Sequence, residues 1–305
     1  MVSVPVSEAV RTTDCPSEAL ARAWESVIVD ATTKAKLINH ALLALHLRPL
    51  FPFETTAVHG LIALVGAPGT GKTTLARGLP HQLSAVLSGR PTRLLEVKPH
   101  GLMSAEHGQS QQLVDELLTE YLPGLADDGR PTIVLLDEVE SMAVARSETS
   151  LSANPVDVHR ATDAVLTAID ELAVTAPHLV FVVTSNFVRG LDDAFLSRAD
   201  TVIEFPMPNA AALHAIIADV LRGLGERYPS LAALAGDAGL REVASAAVGI
   251  DGRQARKLVA RALARRVETA IDPAGLTLTD LQSEAAETHS EWDSNEAEVK
   301  RVRAA

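Results

Sequence analysis

Apolar residues recur along the chain in two periods. Between 59 and 206, short unbroken apolar runs, "LIALVG", "RLLEVK", "TIVLLDE", "LVFVVTSN" and "TVIEFP", are separated by segments whose apolar positions repeat at helical spacing. Runs of that length suit strands buried on both faces. Their alternation with helices predicts an α/β fold with a parallel sheet covered on both sides. Ahead of them, "WESVIVDATTKAKLINHALLALHL" carries helical periodicity, which predicts helix from Ala21 to about His46. Past Pro206 and Pro208 the strand signal stops, and "NAAALHAIIADVLRGLGE", "LREVASAAVG" and "DGRQARKLVARALARRVET" read as helices of a small second domain over 207–281. Residues 1–20 are polar and irregular and are expected to be mobile, and the charged stretch 282–305 is expected to be a solvated tail. There is no internal repeat.

Composition narrows the class. At 305 residues, 47% apolar and 22% charged, the chain can bury one large core or two smaller ones. A formal net charge of −12 speaks against a nucleic-acid surface covering most of the molecule, so a protein or small-molecule partner is the better expectation. Cys15 is the single cysteine, which excludes an intrachain disulfide, and the ten histidines lack metal-ligand spacing. No basic segment precedes an apolar one at the N-terminus, and no run approaches eighteen apolar residues; the expectation is a cytoplasmic chain with no membrane contact.

The chemistry starts in "LIALVGAPGTGKTTLARGLP". Gly66, Gly71, Lys72 and Thr73 match G-x-x-x-x-G-K-[ST], with a strand before and a helix after. Backbone N–H groups converge on phosphates only where side chains are absent, and the helix N-terminus adds partial positive charge. The loop Gly66, Ala67, Pro68, Gly69, Thr70 and Gly71, with Lys72, Thr73 and Thr74, is therefore expected to bind ATP, Thr73 also serving as a Mg2+ ligand. "TIVLLDEVES" puts Asp137 and Glu138 at the carboxyl end of a buried strand, where open α/β sheets collect ligands. Asp137 is expected to hold Mg2+ and Glu138 to polarise the attacking water. Asn186, ending "LVFVVTSN", could orient that water, although turn chemistry also favours Asn there. Arg198, in "LDDAFLSRADTVIEFP", could reach across a subunit boundary to a neighbour's γ-phosphate; its plainer role is a helix-terminal Arg paired with Asp200. Arg253, in the first turn after an Asp251 N-cap, is mildly unfavourable for the helix dipole, a misfit that suggests a phosphate contact from the helical domain.

A phosphate loop, an Asp-Glu strand end, Asn, Arg and a helical lid with a further Arg, in this order, resemble the AAA+ ATPases. "WESVIVDATTKAKLINHALLAL", "VESMAVARS", "RATDAVLTAIDEL", "TSNFVRGLDDAFLSRAD" and "DGRQARKL" look like the pachytene-checkpoint ATPases, over roughly Trp24 to Val267. That resemblance implies a homo-hexamer with Arg198 acting in trans. It also implies a HORMA-domain protein as the partner, remodelled by pulling a terminal segment through a central pore. The short N-terminal region fits bacterial relatives that accompany HORMA proteins and a nucleotidyltransferase in cyclic-nucleotide phage defence, where the ATPase holds signalling off. Two departures stand out. The pore loop falls in "KPHGLMSAEHGQSQQLVDE", with Glu106 and His107 where eukaryotic relatives carry an aromatic, which leaves grip to Leu102, Met103 and His107; and Thr201 stands where many relatives have a second trans arginine. The alternative is an ATP-gated switch or assembly scaffold that binds a partner without threading it.

Overall fold

The computed structural model describes residues 6–97, 116–139, 155–186 and 193–288. By internal contact the chain divides into two units, 1–66 with 72–205 and 67–71 with 206–305.

The first unit is built on a six-stranded sheet of β1 (Val10–Cys15), β2 (Leu61–Gly66), β3 (Thr92–Val97), β4 (Thr132–Leu136), β5 (Leu179–Ser185) and β6 (Thr201–Phe205), in the order β1-β3-β4-β5-β2-β6. All neighbours run parallel except β1, which pairs antiparallel with β3 from Val10 opposite Val97 to Cys15 opposite Thr92. Strands β2 to β5 are buried at every position, as the unbroken apolar runs require.

Alternate residues of each strand feed opposite cores. Ala63, Val65, Leu95, Val134, Phe181 and Val183 face one layer, with Ile169 and Leu172 of the helix Pro155–Thr175 and Phe195 of the short helix Asp193–Arg198. Ile62, Leu64, Leu94, Ile133, Leu135 and Val182 face the other, against Trp24 of α1 (Glu18–Ser26), Leu37 and Ala41 of α2 (Ala31–Leu47), and Leu75, Leu79 and Leu83 of the helix Lys72–Val86. With the four-residue turn Phe53–Thr56 as α3 and Leu122–Leu125 as α5, these become α4 (Lys72–Val86), α6 (Pro155–Thr175) and α7 (Asp193–Arg198).

The second unit packs α8 (Ala210–Gly225), α9 (Pro229–Ala235), α10 (Leu240–Ala246), α11 (Gly252–Ala264), α12 (Val267–Ile271) and a helix α13 over 278–288. Asn209 and Asp251 cap α8 and α11; Asp251 and Gln254 form a reciprocal capping box.

Three features differ from the sequence reading. The helix expected over 21–46 is two, α1 and α2: Val27 takes extended backbone, ψ 113°, and ends the first, and Asp30 stands at the N-cap of the second. Residues 10–15, expected to carry no element, form the edge strand β1; only Cys15 of "VRTTDC" is buried, so the pairing comes from backbone bonds to β3 and leaves no alternating apolar signal. The helical unit also continues past 281, because Leu281, Ala285 and Thr288 recur at helical spacing and are buried.

Candidate functional site

Strand order and register assemble the site. The chain leaves β2 for β3, three places away, steps back inward through β4 to β5 beside β2, and then crosses to β2's other side as β6. A reversal of this kind marks the place where open α/β sheets bind ligands, outside the carboxyl ends of the strands. Val65 lies opposite Ser185 and Leu136 opposite Val183, so the residues just beyond β2, β4 and β5 converge on one edge.

The loop after β2 has the backbone its glycines allow. Gly66, Gly69 and Gly71 have φ of +148°, +76° and +100°. A Cβ on Gly66 would lie 2.3 Å from the Phe205 carbonyl oxygen, so only glycine fits where β2 meets β6. Thr70 Oγ1 donates to the Ala67 carbonyl at 2.8 Å within the loop. Lys72 opens α4, where unpaired N–H groups favour an anion. Its side chain is buried, and Nζ donates to the Gly66 carbonyl at 2.7 Å and to Asn186 Oδ1 at 3.1 Å.

Asp137 and Glu138 follow β4 directly. Thr73 Oγ1 donates to Asp137 Oδ1 at 2.6 Å, and Thr184 Oγ1 donates to the same oxygen at 2.6 Å. Thr184 also accepts the Glu138 N–H at 2.9 Å, while Asn186 Nδ2 lies 3.4 Å from Glu138 Oε1. Glu138 holds φ +53°, a left-handed conformation unusual for a residue with a side chain. Lys72, Thr73, Asp137, Glu138 and Asn186, all expected from sequence, are thus brought together. Thr184 was missed; the available signal was a hydroxyl pair, Thr184 and Ser185, closing an apolar run just before Asn186.

This set suits a phosphorylated ligand and a hard cation. A buried ammonium at a helix start suits a phosphate, and the adjoining Thr73 hydroxyl and Asp137 carboxylate are the oxygen donors that Mg2+ takes. Glu138 supplies a carboxylate next to a neutral amide, as needed to orient and deprotonate water.

Arg198 ends α7 and pairs with Asp170 of α6 rather than with Asp200: Nε and Nη2 each donate to one carboxylate oxygen at 2.8 Å, and this bond raises the guanidinium pKa. His59 Nε2 lies 3.5 Å from the same carboxylate. Asp200 instead accepts the backbone N–H groups of His59, Gly60 and Leu61, while burial pushes its carboxyl pKa up. In the helical unit, Arg253 is exposed in the first turn of α11. Leu102, Met103, Glu106 and His107, where the resemblance leads one to expect a pore loop, lie outside the described residues. Among the described residues no helix is long and apolar enough to cross a membrane, and no cluster of three or more His, Cys, Asp or Glu could hold a metal.

Residues 62–207 match the model of the ATPase family associated with various cellular activities (AAA). CD-NTase-associated protein 6 of Pseudomonas aeruginosa is 46% identical over 268 residues, 88% of each chain. The pachytene checkpoint protein 2 homolog of Arabidopsis thaliana is 36% identical over 58% of this chain, which spans only 38% of that longer relative. Among solved structures, C. elegans PCH-2 aligns with a TM-score of 0.74 at 25% identity, over 94% of this chain and 76% of its own. A chain of the E. coli MS115-1 HORMA:CdnC:Trip13 complex shares the fold at a TM-score of 0.75 and 17% identity, over 93% of this chain and 97% of its own.

Proposed function

The chain belongs to the AAA ATPases, with CD-NTase-associated protein 6 and the pachytene checkpoint protein 2 homologues as relatives, and on that premise we propose an ATP-driven remodeller. It hydrolyses ATP to ADP and phosphate and uses the cycle to convert or disassemble a complex containing a HORMA-domain protein. In doing so it switches off a cyclic-nucleotide anti-phage system in the cytoplasm; contact with the nucleotidyltransferase is indirect. The observation that carries the reading is the Thr73–Asp137 and Glu138–Asn186 arrangement beside Lys72, in a chain 46% identical to CD-NTase-associated protein 6. The fold shared with a chain of a HORMA:CdnC:Trip13 complex supports the choice of partner.

In this reading the glycine loop and Lys72 hold the β- and γ-phosphates. Thr73 and Asp137 hold Mg2+, which when bound neutralises charge on the phosphate oxygens. Glu138 takes the proton of the attacking water, and Asn186 orients that water. Arg198 serves a neighbouring subunit of a homo-hexamer, exchanging the Asp170 carboxylate for the neighbour's phosphate, an anion that a planar guanidinium can also grip with two bonds. Arg253 reports nucleotide state from the helical unit.

ATP turnover measured against protein concentration tests this. Wild-type activity per subunit should rise with concentration, excess Arg198→Ala should depress it in mixtures, and Glu138→Gln should lose at least about a hundredfold in kcat. Flat activity together with a fully active Arg198→Ala contradicts the shared site.

A further inference from the structure

Thr184 sits in the middle of the site with its side chain sealed from solvent: it is 1% exposed, in a strand buried at every position. A valine of the same shape would suit that strand without the cost of burying a hydroxyl. The hydroxyl is instead used in both directions. Its proton goes to Asp137 Oδ1 at 2.6 Å, and its oxygen accepts the Glu138 N–H at 2.9 Å. The two acids expected to divide the chemistry are therefore tied to one atom, on a strand that belongs to neither.

The rest of the network closes around that atom. Thr73 donates to the same Asp137 oxygen, Lys72 donates to Asn186, and Asn186 reaches Glu138. Glu138 meanwhile holds a backbone conformation, φ +53°, that persists only where surrounding contacts impose it. The bond to Thr184 is such a contact, since it fixes the N–H of that very residue.

We propose that Thr184 is a positioning residue for ATP hydrolysis: one buried hydroxyl sets the Asp137 carboxylate and the left-handed Glu138 backbone together, so that the metal-holding and water-activating acids share one geometry. The inference rests on the ATPase reading above. It assigns Thr184 no contact with substrate; its effect passes through Asp137 and Glu138.

The test compares the full-length wild type with Thr184→Val, which keeps the shape and removes the hydroxyl, and Thr184→Ser, which keeps the hydroxyl and removes the methyl. Each is measured for kcat and KM for ATP, for binding of a fluorescent ATP analogue with and without Mg2+, and for melting temperature. The expected result for Thr184→Val is a kcat at least about tenfold lower, with KM within about threefold. Analogue binding should be unchanged without Mg2+ and should need more Mg2+ for its metal-dependent part. Thr184→Ser should recover kcat to within about threefold of wild type whatever its melting temperature.

A wild-type kcat in Thr184→Val overturns the proposal. So does a Thr184→Ser variant whose activity is lost in step with its melting temperature, which would make the residue a packing element only. If Thr184→Val fails to fold, the Thr184→Ser result decides by the same criterion. An inactive wild type, indifferent to Glu138→Gln, would sink the ATPase reading itself; an active wild type with unaltered variants would sink only the role of Thr184.

Discussion

Glu138 combines the carboxylate proposed to act on water with an unfavourable backbone. Its φ of +53° costs an ordinary residue about 1–2 kcal/mol, whereas Asn enters the left-handed region more easily. Glu138→Asn should therefore melt no lower than wild type while its ATP turnover falls at least about a hundredfold. A clear drop in melting temperature would show that the carboxylate, and not the strain, dominates the stability of this position. Residues such as Lys72, Asp137 and Asn186 were legible in the sequence because their chemistry has fixed spacing and a strand end to sit on. Thr184 was not, because a threonine in an apolar run is also an ordinary β-branched strand former, and only the register of β4 against β5 reveals what its hydroxyl meets. Arg198 was legible as a residue but not in its pairing: Asp200, two positions away, is consumed by the backbone N–H groups of 59–61, and Asp170 arrives from α6.

Among elements, α4 shows where local rules give way to packing. Pro80 lies inside it, yet the helix runs on to Val86, and the Pro80 carbonyl accepts the Thr92 hydroxyl from β3 at 2.6 Å. Gly78, in the same helix, is where α1 crosses. A Cβ there would lie 2.6 Å from the Cβ of Trp24 and 3.1 Å from the Leu20 carbonyl oxygen. Helix propensity alone favours Gly78→Ala by about 1 kcal/mol, but forcing α1 off α4 costs about 1–3 kcal/mol and also disturbs the Trp24 side of the core. The substitution should accordingly destabilise the chain in urea unfolding, and a stabilised variant would mean that α1 is not held against α4 as described. The buried strands and their covering helices followed from hydrophobic period, since both faces of the sheet are filled. The edge strand β1 did not, because its bonds are made by backbone and its side chains remain largely in solvent.

At the scale of the whole molecule, the sheet and its two covering layers hold the acids, hydroxyls and lysine in register, and the catalytic cycle is proposed to act on another protein. A net charge of −12 on 305 residues fits a protein partner better than a nucleic acid. The most direct measurement follows a fluorescently labelled HORMA-domain protein in complex with its nucleotidyltransferase, after addition of substoichiometric amounts of this chain with ATP and Mg2+. The account predicts multiple-turnover release by the wild type and none by Glu138→Gln. Release that proceeds equally without ATP or with Glu138→Gln, or a wild type that hydrolyses ATP yet leaves the complex intact, would contradict it.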